Sequence, residues 1–173
     1  MKLIGLSFLL LLFSRNSIAQ NNPGDSTSLK EGVAVGEIGG ASSTDIKSGK
    51  SSFGYSLSIE ATPVANWLEV ELGVSPTYGA YHKETDIDFL LKKPWTFSSK
   101  LEFMLGIGPE WANATDHGIT THSWNGEVAL DFMYWPFRKH QLGFYAEPGY
   151  VYGFNKAHEQ SAEISAGLLI NIP

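Results

Sequence analysis

The 173-residue chain has no cysteine, which excludes disulfides, thiol catalysis and cysteine metal sites. Base is scarce: 12 Lys+Arg stand against 18 Asp+Glu, a formal charge of −6. Phosphate binding needs clustered base, so nucleic acid is excluded as a partner. After the first twenty residues no apolar run is long enough for a transmembrane helix. Glycine and aromatics are abundant, with 18 Gly and 13% Phe, Trp and Tyr. Together with the lack of a long helical stretch, this points to an all-β chain.

The opening "MKLIGLSFLLLLFSRNSIAQ" has an early Lys2, an apolar centre over residues 8–13, and small residues at Ser17 and Ala19. It reads as a secretory signal cut after Ala19, because the apolar run is too short to cross a bilayer. Residues 1–19 are then a signal peptide, 20–30 a flexible leader and 31–173 one barrel domain. The signal lacks the cysteine of a lipoprotein. Its removal takes Lys2 and Arg15 but no acid, leaving ten bases against 18 acids and a formal charge of −8.

Strand character recurs over 31–42, 52–62, 67–79, 85–93, 99–112, 123–135, 141–154 and 160–172. The connections "PVAN", "KKPWTF" and "PFRKHQ" are short. Longer polar loops are expected near 43–51, 80–84, 113–122 and 155–159. Short turns alternating with longer loops are the pattern of an up-and-down barrel.

Alternation along the strands then says which face is apolar. Phe53, Tyr55, Leu57, Ile59 and Ala61 oppose Gly54, Ser56, Ser58 and Glu60. Leu68, Val70, Leu72 and Val74 oppose Glu69, Glu71, Gly73 and Ser75. Phe132 and Tyr134 oppose Asp131 and Met133, and Ile164, Leu168, Ile170 and Ile172 oppose Glu163, Ser165, Gly167 and Asn171. A period of two sends each set to its own side of the sheet. Small residues and acids suit a narrow wet interior, and an apolar band on every strand suits lipid. The fold expected is a single antiparallel up-and-down transmembrane barrel of eight strands in a bacterial outer membrane. The ribbon "LDFMYWPFRKHQLGFYAEPGYVYGF" becomes two of its strands, with Pro136, Arg138, Lys139 and His140 in a short periplasmic turn.

On these residues the chain resembles the OmpA-type superfamily of small outer-membrane barrels, most sharply in the C-terminal "SAGLLINI". Ser165, Gly167, Ile170 and Ile172 look like the assembly signal that such proteins carry on their last strand, although the family usually has aromatics in place of the two isoleucines and ends on Phe rather than Pro173. The longer run "DFLLKKPW…LEFMLGIGPEW…ALDFMYWP" is similar to small proteobacterial outer-membrane proteins. The resemblance implies location and fold. Outer-membrane lipid, and the assembly machinery through the C-terminal strand, are the partners expected, and the barrel is expected to be a monomer.

Pro76, Pro109 and Pro148 all fall on the apolar parity in echoing segments, "LGVSPTYG", "LGIGPEWA" and "YAEPGYVYG". Proline removes a ladder hydrogen bond, so the three are expected to mark one level near the outer rim, at bulges or where pairing ends. The inward parity gathers Glu60, Glu69, Glu110, Glu127, Asp131, Glu147 and Glu163, with Lys100 as the base placed inside. Symmetric turns would set Glu60 across from Glu69 and Glu110 across from Glu127. A cation or proton site centred on Glu110, Glu127 and Glu147 is the sharper alternative to a polar plug.

His82, His117, His122 and His158 fall in or beside the loops without metal-ligand spacing, so no metal and no cofactor is expected. Adjacent His122 and Ser123 point to opposite faces, and no nucleophile, base and orienting group converge. The expected role is therefore non-enzymatic: a barrel with an acidic, mostly plugged lumen, structural or interactive at the surface. The alternatives are a lipid-modifying enzyme, a narrow cation-selective pore and a soluble ligand-binding barrel.

Overall fold

A computed structural model describes residues 34–80, 82–137, 141–156 and 158–172. The expected signal peptide, the leader and the start of the first strand lie outside the described residues, as do Arg138, Lys139 and His140. Among the described residues eight strands follow one another without a helix: β1 (Ala34–Asp45), β2 (Ser51–Val64), β3 (Leu68–Gly79), β4 (His82–Ser98), β5 (Leu101–Asp116), β6 (Ile119–Tyr134), β7 (Leu142–Gly153) and β8 (Gln160–Ile172). Each pairs antiparallel with its sequence neighbours, and β8 closes on β1.

Closure has a definite stagger. Successive ladder partners run Ala34, Ala61, Val70, Leu91, Ile107, Val128, Tyr150, Ala162 and back to Thr44. The circuit returns ten residues further along β1 than it began. Eight strands with that shear tilt by roughly 40° and leave an interior that side chains fill.

Ala34 pairs with Ile172, so both ends of the described barrel share one rim, the terminal rim. The connections 65–67, 99–100 and 135–141 belong to it, and 46–50, 80–81, 117–118 and 154–159 belong to the far rim. Two of the expected long loops are in fact two-residue hairpins. His117 and Gly118 both take positive φ, 48° and 83°, the geometry of a primed turn that continues the strand twist. The segments read as loop on either side of it are therefore ladder, from Asn113↔His122 to Asp116↔Ile119.

"KKPWTF" is also strand rather than turn. β4 runs on to Ser98 and pairs with β5 through Lys92↔Gly106, Pro94↔Met104 and Trp95↔Phe103. β3 has ended by then, since its last partner on β4 is Lys92. Pro94 thus sits where one side of β4 has no neighbour, which is where a strand tolerates proline. The turn lies at Ser99 and Lys100, and Lys100 is exposed there, not inside.

The alternation holds with the apolar set outside. Phe53, Leu72, Phe89, Ile107, Phe132 and Ile170 are exposed, while Lys92, Asp131 and Glu60 are at most 1% exposed. Near the terminal rim Trp95 stacks on Phe103 at 5.6 Å, and Phe103 meets Phe132 at 5.1 Å, a belt of rings on the outer wall. Pro76, Pro109 and Pro148 each coincide with a two-residue lapse in pairing to the preceding strand. Pairing jumps from Gly54↔Thr77 to Leu57↔Val74, from Asp88↔Glu110 to Leu91↔Ile107, and from Ala129↔Gly149 to Phe132↔Ala146. Register is kept across each lapse, so these are missing rungs and not bulges.

Candidate functional site: a tiered polar lumen

The interior is built in three layers. At the terminal rim Met104, Met133, Trp135, Tyr145 and Leu169 form an apolar plug, with Val35 packed against it. Tyr145 keeps its hydroxyl satisfied by Ser56 Oγ at 2.7 Å, as a buried phenol requires.

Above the plug stands Lys92, fully buried. Its ammonium donates to Glu147 Oε2 at 2.5 Å and to Asp131 Oδ2 at 3.2 Å, and it pairs with Glu71. Four strands are tied through one nitrogen: β4, β3, β6 and β7. Glu37, Glu60, Glu71 and Asp131 have carboxylate oxygens within 4.8 Å of one another, close enough to hold a metal ion. The lysine supplies a positive charge from within the chain instead. Glu37 is steadied by Ser58 Oγ at 2.8 Å.

Towards the far rim lies a cavity lined by Asp86, Asp88, Glu110, Glu127 and Glu163 together with Ser43, Ser75 and Thr77, and it reaches down to Glu37, Glu71 and Glu147 of the central layer. Asn125 donates to Glu110 at 2.6 Å, and Ser43 and Ser161 donate to Glu163 at 2.9 and 3.2 Å. Asp86 Oδ1 is buried with no hydrogen-bond partner. Among the described residues no lysine or arginine lines this cavity.

Sequence reasoning placed the acids on the correct side but mispaired two of them. Glu60 faces Glu71 rather than Glu69, because the β2–β3 turn is 65–67, closed by Val64↔Leu68, and not 63–66. Glu110 faces Asn125, and Glu127 faces Gly108, because the 117–118 turn has two residues. Glu147 bonds to Lys92 in the central layer and also lines the cavity that Glu110 and Glu127 line. Lys92, Glu37, Asp86 and Asp88 were missed. For three of them the signal was present: Asp86, Asp88, Leu90 and Lys92 alternate with Ile87, Phe89 and Leu91, and the period runs straight through "KK".

The histidines do not converge. His82 lies 3.2 Å from Glu84, His122 stacks on Trp111 at 5.5 Å, and His158 accepts or donates with Tyr152 at 3.0 Å. Ser123 takes the opposite parity to His122 on β6, so the pair forms no nucleophile and base.

Solved structures share this architecture. The chain matches Neisserial surface protein A with a TM-score of 0.63 at 16% identity, covering 80% of this chain and 96% of that one. For the outer membrane protein OprG from Pseudomonas aeruginosa the TM-score is 0.61 at 14% identity, covering 80% and 95%. For the N-terminal β-barrel domain of Pseudomonas aeruginosa OprF it is 0.59 at 14% identity, covering 80% and 98%. The protein therefore has the OmpA-type eight-stranded barrel fold. No protein-family model matches the chain, and no curated protein matches it.

Proposed function

We propose that this chain is a small bacterial outer-membrane barrel, exported by a cleaved signal peptide, with a structural or interactive role at the cell surface and a mostly plugged acidic lumen. One observation carries the reading: the wall is inverted, with aromatic and branched apolar side chains outside and a lysine among carboxylates inside. Water would penalise that wall heavily, since exposing apolar area costs roughly 25 cal/mol per Å². Lipid removes the penalty, and the ring belt at Trp95, Phe103 and Phe132 suits the headgroup level. OprG, a fold neighbour, is itself described as an outer membrane protein.

β5 and β6 have 16 residues each, whereas spanning takes about 9–11. Their polar tip around His117 then stands clear of the membrane, available to surface partners. Outer-membrane lipid contacts the wall, and β8 presents the C-terminal strand to the assembly machinery. The monomer needs no partner chain to close its sheet.

Membrane fractionation tests the reading. Detergent should be required to release the protein, and release by salt alone would favour a soluble binding barrel. Planar-bilayer recordings should show no steady conductance, because the apolar plug and the Lys92 layer fill the lumen. A conductance reduced by Glu110→Gln or Glu127→Gln would establish the pore instead.

A further inference from the structure

Two layers of carboxylate share this lumen, and only one has a cation supplied by the chain. The central layer has Lys92 Nζ in contact with Glu71, Asp131 and Glu147. That ammonium is already shared among these three acids and makes no ion pair with a far-rim carboxylate. In the far-rim layer Asp86 and Asp88 come from β4, Glu110 from β5, Glu127 from β6 and Glu163 from β8. All five line one cavity.

Crowded acids alone would not make a site, since serines, asparagine or water can satisfy them. Here the donors are unevenly spent. Asn125 is committed to Glu110, and Ser43 and Ser161 converge on the same oxygen of Glu163. Ser52 instead donates to Thr77 at 3.1 Å. Asp86 is 5% exposed and lines this cavity, and its Oδ1, like Asp88 Oδ2 beside it, is buried with no hydrogen-bond partner. An orphaned buried carboxylate oxygen costs about 1–3 kcal/mol or more; the orphaned oxygens of the central layer surround Lys92, but Asp86 Oδ1 and Asp88 Oδ2 have no lysine in contact, which points to a partner from outside.

We propose that the far-rim layer binds one divalent cation, calcium or magnesium, with Asp86 and Glu127 as direct ligands. Glu110, Asp88 and Glu163 complete the negative charge around it. The inference rests on the outer-membrane reading for the direction of entry, through the far rim, but not for the site itself. Oxygen-only donors select hard cations, and carboxylates drawn from four separate strands favour an ion that keeps part of its water shell. The more compact set around Glu60 is not this site, because Lys92 already lies in it.

The protein purified in detergent, stripped with EDTA and dialysed, is titrated with calcium chloride and magnesium chloride by calorimetry. Saturable binding of one ion per barrel is expected, weakened about tenfold or more in Asp86→Asn and in Glu127→Gln and unchanged in Glu60→Gln. No saturable binding by the wild-type protein overturns the proposal. So does binding that survives both far-rim substitutions, or that is lost with Glu60→Gln alone. Circular dichroism checks each variant for the folded barrel; if Asp86→Asn does not fold, Glu127→Gln and the wild-type titration decide. Release of the protein by salt alone would defeat the membrane reading while leaving this measurement valid.

Discussion

Lys92 on β4 reaches across the barrel to Glu147 on β7, Nζ to Oε2 at 2.5 Å, in a central layer whose other charged groups are acids. Between them the barrel interior is bridged without covalent help. A buried ion pair of this kind is costly to break from one side, because the remaining charges keep their desolvation penalty and lose their partner.

Lys92→Met should therefore destabilise the barrel by about 3–5 kcal/mol. Urea unfolding in lipid vesicles measures it. Adding Glu71→Gln and Glu147→Gln to that variant should recover part of the loss by removing stranded charge. A single variant within about 1 kcal/mol of wild type would show that Lys92 does not neutralise the layer.

Two adjacent glycines on β1 should respond oppositely to alanine. A Cβ on Gly39 would run into the Ala166 carbonyl oxygen and approach Tyr145 Oη to 2.6 Å, whereas one on Gly40 would meet only Gly54 O at 3.9 Å. Gly39→Ala is expected to cost about 1–3 kcal/mol by overpacking, and Gly40→Ala to be nearly silent. Equal tolerance of the two would refute the close approach of β1 and β8 at Gly39.

Leu72 points outward and is 52% exposed. In water, Leu72→Arg would be harmless. In a bilayer it should cost about 2–4 kcal/mol if near the midplane. Unfolding in vesicles separates the two, and an arginine that costs nothing would argue against the lipid-facing wall.

Asp45 caps the 46–50 loop by accepting from the Ser48 amide at 2.5 Å. Hydrogen bonds from the Ser48 side chain, and next from its amide, hold the carboxyl below the usual carboxylate range. A depressed carboxylate stabilises its loop above the unfolded value and loses that contribution as pH falls through the folded one. The side chain is exposed, so the effect is local and screened. Amide exchange at Ser48 should speed up in Asp45→Asn at neutral pH, and wild type should come to match the variant only in strong acid.

Much of the fold was legible because sheet burial has a strict period. Phe53, Tyr55, Leu57 and Ile59 against Ser56, Ser58 and Glu60 fix two faces, and so many greasy positions on one side cannot all be buried in a chain this small. Residues such as His117 were less legible. "DHGI" lacks the Asn-Gly or Asp-Gly signature of a two-residue hairpin, so a polar stretch around it read as loop. Pro94 misled in the opposite direction, since a proline beside two lysines looks like turn chemistry unless the neighbouring strand is known to have ended.

By itself the sequence determined the alternation, hence an inverted all-β wall, the number of strands and the acidity of what they enclose. Those follow from local stereochemistry and composition. Only the closed tertiary structure decided which acid meets which base. A shear of ten residues brings Lys92 to Glu71, Asp131 and Glu147 and leaves Asp86 lining one cavity with Glu110, Glu127 and Glu163, with no described base in its lining. Partners across a barrel are set by cumulative stagger around eight strands, a quantity no single segment carries.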